Sequence, residues 1–294
     1  MEFKQQLQNR VEDIEKILYS YLPKEEGLQK TVIEAMNYSV KAGGKRLRPM
    51  LMQETYKLFG GNGKVVEPFM TALEMIHTYS LVHDDLPALD NDEYRRGKKT
   101  THAVYGETMG ILAGDALLNY AFEVASTAFD IEFSERVAKA LKVLAAKAGI
   151  YGMIGGQIAD IESEGKSVGI DTVEFIHRLK CGALIESAMK IGAILAGASE
   201  EEQAKIEQIG ADVGYAFQIQ DDILDVTGTT EVLGKPAGSD DKNEKSTYVS
   251  IKGLEQAKKD VEFMSDRALQ NLASFKNRNV FLEDLIKMLI NRVS

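Results

Sequence analysis

Apolar residues recur at intervals of three and four along most of the chain, the spacing of a buried helix face. Phe3, Leu7, Val11, Ile14, Ile17 and Leu18 predict a helix over residues 3–20, which Pro23 ends. A second helical run, 28–42, stops at Gly43-Gly44. A third follows Lys45-Arg46-Leu47-Arg48-Pro49 through Phe59 and closes at Gly60-Gly61-Asn62-Gly63. The apolar run Phe69 to Val82 then ends abruptly in the carboxylates Asp84, Asp85, Asp90, Asp92 and Glu93, followed by Arg95 and Arg96. Long helical patterns cover 107–128 and 134–150. Gly152, Gly155 and Gly156 stand inside a run reaching Asp160, where they signal close helix packing or a kink. Residues 163–171 form a turn, with Asp171 or Thr172 as the cap of the next helix. Helical spacing resumes to Ala196, breaks at Gly197 and restarts at Ser199 or Glu200. The run 206–226 carries a second acidic cluster, Asp221-Asp222-Ile223-Leu224-Asp225. Residues 227–247 read as one long polar loop, and 254–293 as amphipathic helix. No alternating stretch predicts a strand and no linker divides the chain. The pattern predicts one all-α domain, 1–294, of about ten or more helices.

Composition narrows the function. The 294 residues are 44% hydrophobic and 27% charged with only 5 prolines, which suits a helix-rich protein with a sizeable core. A net charge of -10 argues against general nucleic-acid binding. Cys181 stands alone, which excludes an internal disulfide framework and points to a reducing compartment. The first residues lack a signal-peptide core, and even 183–198 carries Glu186 and Lys190. The expectation is a cytoplasmic protein with no integral membrane segment.

Each acidic cluster follows an apolar helix, and adjacent carboxylates at such a place call for a neutralising cation. Asp221 and Asp225, four apart, share a helix face, while Asp222 flanks them. Asp84 and Asp90 are separated by Pro87, so the chain must leave the helix there to bring Asp90 back. A single acidic run usually marks a solvated face. Two of them, accompanied by Lys45, Arg46, Arg48, Arg95 and Arg96, describe a Mg²⁺–polyphosphate site with two carboxylate walls better. The glycine-bearing loop of a calcium hand is absent, and Gly43-Gly44-Lys45-Arg46 lacks the spacing of a nucleotide loop. Four histidines without zinc spacing argue against zinc.

These motifs, in this order, resemble the trans-polyprenyl diphosphate synthase family, and within it the short-chain bacterial farnesyl diphosphate synthases. The carriers are Gly43-Gly44-Lys45-Arg46-Leu47-Arg48-Pro49, Asp84-Asp85-xxxx-Asp90 with Arg95-Arg96-Gly97-Lys98, and Gly114-Asp115-Ala116-Leu117-Leu118. Further on come Gly155-Gly156-Gln157-x-x-Asp160, Lys180-x-Gly182-Ala183-Leu184, Gln218-x-x-Asp221-Asp222-x-x-Asp225 and Gly234-Lys235. The resemblance implies an antiparallel helical barrel around a central cavity, a homodimer, and a prenyltransferase joining isopentenyl diphosphate to dimethylallyl and geranyl diphosphate. It assigns Asp84, Asp85, Asp90, Asp221, Asp222 and Asp225 to Mg²⁺, up to three ions, with Mn²⁺ as a substitute. It gives Arg95, Lys180, Gln218 and Lys235 to the allylic diphosphate, and Lys45, Arg48, His77 and Arg96 to isopentenyl diphosphate. Asp84, Asp85, Lys180, Gln218 and Asp221 form its catalytic set, and the 227–247 loop becomes a lid.

Two positions depart from the family: Cys181 replaces a common Thr, and the basic C-terminal tail reduces to Arg292. Tyr79, five residues before Asp84 and about 7.5 Å along the helix, with Ser80 beside it, is the expected floor of the cavity; with the two-residue insertion in the first motif it resembles the farnesyl-producing pattern of the family, which implies a farnesyl product. The alternatives are a geranylgeranyl diphosphate synthase, a terpene cyclase and a non-catalytic synthase subunit. The paired acidic motifs and the second diphosphate site speak against the last two.

Overall fold

A computed structural model describes residues 2–228 and 246–290. Lys235, Arg292 and nearly all of the expected lid loop lie outside the described residues. Fifteen α-helices, one π-helical turn and a two-stranded ribbon make up the described regular structure, so the fold is all-α. Residues group into two compact units, Met1–Gln53 with Asn62–Leu141, and Glu54–Gly61 with Lys142–Ser294.

The first unit holds α1 (Phe3–Ser20), α2 (Lys30–Lys41), the start of α3 (Leu47–Leu58) and α4 (Val66–Asp84). The ribbon β1 (Tyr94–Arg95) and β2 (Lys98–Lys99) follows, then α5 (Thr101–Tyr105), α6 (Glu107–Ser126), α7 (Ala128–Ile131) and the start of α8 (Glu135–Ala148). α4 is mostly apolar because it forms the unit's interior; from Phe69 to Ile76 every residue is buried, the charged Glu74 included. It lies close against α6, where a Cβ on Gly114 would sit 2.0 Å from His83 Nε2 and one on Gly110 2.9 Å from Leu86. These two glycines, one turn apart, admit the end of α4 that carries the first acidic motif.

The second unit holds the rest of α8, α9 (Met153–Ser163), α10 (Ile170–Ile176), the π turn His177–Gly182 and α11 (Ala183–Ala196). Beyond it come α12 (Glu200–Thr227), α13 (Tyr248–Lys252), α14 (Leu254–Ala273) and α15 (Val280–Ile290). A reciprocal cap starts α12: Ser199 Oγ accepts the Glu202 N–H, and the Glu202 carboxylate accepts the Ser199 N–H. Gly210 and Gly214 then let neighbouring backbone approach, since a Cβ on Gly214 would meet Gly182 Cα at 2.7 Å and one on Gly210 would meet Glu186 Cα at 2.8 Å.

Three expectations are corrected. The ribbon was not predicted: its central residues Arg96 and Gly97 have φ of 53° and 74°, a two-residue hairpin turn usually marked by Asn-Gly. α10 is capped by Gly169 rather than Asp171 or Thr172, and Asp171 falls in the first turn, where the positive end of the helix favours it. The C-terminal pattern is two helices, broken between Ala273 and Val280. Among the described residues no helix is long and apolar enough to cross a membrane.

Candidate functional site

In the first unit α4 ends at Asp84, and the chain turns through Pro87 so that the Asp90 N–H donates to the Asp84 carbonyl at 2.9 Å. This is the return the sequence required. Asn91 completes it with φ 52°, a conformation asparagine tolerates. Asp84 is half-buried and Asp90 exposed. Asp85 is buried, and its Oδ1 accepts both Arg95 Nε and Nη2 at 2.7 Å. Burial pushes the Asp85 carboxyl up, and the Arg95 fork opposes that rise. Tyr79 is buried on α4 with its ring edge-to-face on His83, centroids 5.8 Å apart. Burial, then the nearby Asp84 charge, push its hydroxyl up to about 12. Ser80 Oγ is turned to the His77 carbonyl at 2.9 Å.

The ribbon carries Arg96 onto the basic loop, where its Nη1 donates to the Gly43 carbonyl. Gly44 has φ 149°, a conformation that residues with a side chain rarely adopt, and a Cβ there would also displace that Nη1, 2.5 Å away. Half-buried His77 feels a cluster of guanidiniums. Burial first, then repulsion from Arg48, Arg96, Arg95 and Arg46, hold its pKa well below the ordinary value, so the ring is neutral near pH 7. Lys45 is exposed on the same loop. Converging guanidiniums around a neutral histidine suit an anion with several phosphate oxygens.

Since unfolded His77 protonates at its ordinary pKa and the folded ring does not, the unfolded state binds more protons below that value. This contribution to stability is therefore lost as pH falls through the unfolded pKa towards the lower folded one. His77→Gln is expected to shrink the drop in urea midpoint between about pH 7.5 and about pH 5.5. An unchanged drop would remove His77 from the account.

In the second unit α12 stays helical through the whole second motif, so Asp221 and Asp225 do share a face. Gln218 Nε2 reaches Asp221 Oδ2 at 3.4 Å. Asp222 points inward: its Oδ2 accepts the Tyr248 N–H at 2.7 Å, with His177 Nε2 at 3.6 Å. Burial lowers the His177 pKa to about 4, so its ring is neutral there. Lys180 lies in the π turn and donates to Asp160 Oδ2 at 2.5 Å. The turn packs on α9 only because residue 156 is glycine; a Cβ there would meet Lys180 N at 2.2 Å. Cys181 is half-buried in the same turn.

The sequence groups Arg46 with the phosphate-binding cations, but its guanidinium faces carboxylates of the protein instead. It is buried and bonded to Glu15 and Glu74. No spacing rule links those three positions. His177 lies outside every motif of the sequence, whereas Asp160 closes Gly155-Gly156-Gln157-x-x-Asp160.

The polyprenyl synthetase family model matches residues 29–282. The chain is 43% identical over 287 residues to a geranylgeranyl diphosphate synthase of Cyanophora paradoxa, covering 97% of this chain and 95% of that one. It is 43% identical over 267 residues to the farnesyl diphosphate synthase of Geobacillus stearothermophilus, with 90% of each covered. It is also 46% identical over 246 residues to a chloroplastic geranylgeranyl pyrophosphate synthase of Capsicum annuum, covering 83% of this chain and 67% of that one. Among solved structures, Helicobacter pylori geranyltransferase, complexed with magnesium and isoprenyl diphosphate, superposes with TM-score 0.83 at 32% identity, over 99% of this chain and 97% of that one.

Proposed function

The chain belongs to the polyprenyl synthetase family, and from that premise we propose which diphosphates it joins and which residues hold them. It is a prenyltransferase that lengthens isoprenoid chains head to tail with magnesium. The substrates proposed are isopentenyl diphosphate and an allylic diphosphate, dimethylallyl or geranyl. One observation carries the reading. Arg95 is bonded to Asp85 of the acidic motif while its neighbour Arg96 is bonded to Gly43 of the basic loop. Two adjacent residues thus tie a carboxylate cluster to a guanidinium cluster, as a reaction between two diphosphates needs.

Lys45, Arg48, His77 and Arg96 take isopentenyl diphosphate; Arg95, Lys180, Gln218 and Lys235 take the allylic diphosphate. Asp84, Asp85, Asp90 and Asp221 hold Mg²⁺, with Asp222 and Asp225 supporting them. Among the described residues no three His, Cys, Asp or Glu side chains form a ready cage for a metal. Mg²⁺ keeps several waters and completes its shell with phosphate oxygens. When bound, the metal neutralises charge on the departing diphosphate. The allylic C–O bond breaks and the electron pair leaves with the diphosphate; the double bond of isopentenyl diphosphate supplies the pair for the new C–C bond, and the cationic adduct gives up a proton to the released diphosphate. Arg95 and Lys180 stabilise the released diphosphate, and His77, neutral, donates or accepts a hydrogen bond without adding charge. We take the chain as one polyprenyl synthase domain, a cytoplasmic homodimer.

The relatives' names favour geranylgeranyl diphosphate, one isoprene unit beyond the farnesyl product expected from sequence. The farnesyl reading keeps one specific observation, buried Tyr79 below the acidic motif. Incubation with dimethylallyl diphosphate, isopentenyl diphosphate and Mg²⁺, followed by product sizing, decides between them. No prenyl product would sink the enzyme reading. Tyr79→Ala is expected to lengthen the wild-type product by at least one unit, and an identical product profile would dismiss Tyr79 as the floor.

A further inference from the structure

We infer that half-buried Glu15 with buried Arg46 and Glu74 forms a positioning triad that sets the basic loop for isopentenyl diphosphate, so that helix α1 is part of that substrate's half of the site. The inference rests on the reading of Lys45, Arg48, His77 and Arg96 as that half. The loop from Gly43 to Arg46 is built from unusual conformations, with φ of 94° at Gly43, 149° at Gly44 and 47° at Arg46. A long side chain holds a left-handed backbone only where its surroundings over-determine it.

Here they do. Arg46 Nη1 donates to Glu74 Oε1 at 2.9 Å on α4, and Nη2 donates to the Val40 carbonyl at 2.7 Å on α2. Nε and Nη2 both donate to Glu15 Oε1 on α1, at 3.1 and 3.0 Å. One guanidinium therefore joins three helices, and Arg46 stands directly after Lys45 and two residues before Arg48. Two carboxylates against one guanidinium leave a net negative charge, and Glu74 lies near enough to act on the Arg96 guanidinium, where it opposes the repulsion from the neighbouring arginines. Glu74 lies three residues before His77, so the same turn of α4 anchors the triad and presents the histidine. The family model begins at residue 29, beyond Glu15 altogether.

The test uses the full chain with Glu15→Gln and Arg46→Lys. Glu15→Gln keeps an acceptor and leaves the buried Arg46–Glu74 pair in place, so folding is preserved even if Arg46→Lys unfolds. Glu15→Gln is expected to raise KM for isopentenyl diphosphate about tenfold, with KM for the allylic substrate within about twofold. The double variant should be no worse than Arg46→Lys alone. Equal shifts in both KM values, or none, overturn the inference. Calorimetric titration of isopentenyl diphosphate into metal-free protein separates the two layers. Binding to wild type that Glu15→Gln does not weaken defeats the triad alone; no binding to wild type defeats the substrate assignment and the triad with it.

Discussion

Asp84→Ala is expected to lower prenyl transfer by about a thousandfold or more, at saturating substrates and Mg²⁺. Asp84 is the last residue of α4, where the helix dipole is already negative, and Asp85 follows directly. The backbone bond from Asp90 to Asp84 brings a further carboxylate to the same turn. Such a concentration of negative charge is stable when a divalent cation offsets it, and weakens its hold when one carboxylate goes. The change should appear mainly in kcat, because stabilisation of the leaving diphosphate is needed most in the transition state. Asp85→Ala acts differently: it also frees Arg95 from its fork, so KM for the allylic substrate should move with kcat. Rates measured by isopentenyl incorporation across a Mg²⁺ series check both. An Asp84→Ala enzyme within tenfold of wild type would refute the role.

Gly156→Ala is expected to cost about 1–3 kcal/mol of stability and to weaken allylic substrate binding as well. The added Cβ would stand 2.2 Å from Lys180 N and 2.7 Å from the Leu179 carbonyl carbon. These are backbone atoms, which cannot swing aside like a side-chain tip. The π turn must therefore shift, and it carries both Lys180 and His177. Thermal melting and allylic KM, taken together, check it. Gly165→Ala is a control for a glycine with open space but a φ of 65°, where only backbone strain applies. If Gly156→Ala melts like wild type, the close contact does not govern the turn.

Much of this was legible beforehand because it rests on local rules. The apolar run 69–82 became α4, the break near Pro87 returned Asp90 to Asp84, and the helical restart expected at Ser199 or Glu200 is the start of α12. What escaped depends on partners distant in sequence. Arg46 looks like its neighbours Lys45 and Arg48 until Glu15 and Glu74 are seen around it. The π turn differs from an α-helix by hydrogen-bond register, to which side-chain periodicity over six residues is nearly blind. The inward turn of Asp222 depends on the Tyr248 N–H, 26 residues on.

The uninterrupted course of α12 has a consequence for how this gene can vary. Its 28 residues make a rod of about 42 Å, and its cap and its glycine contacts fix the rod's rotation well before Asp221. Inserting or deleting one residue between Gly214 and Asp221 would turn every following carboxylate by about 100° about the axis. Length changes in that stretch are thus barred, whereas the exposed turn from Glu164 to Ser167, outside any helix, can absorb them.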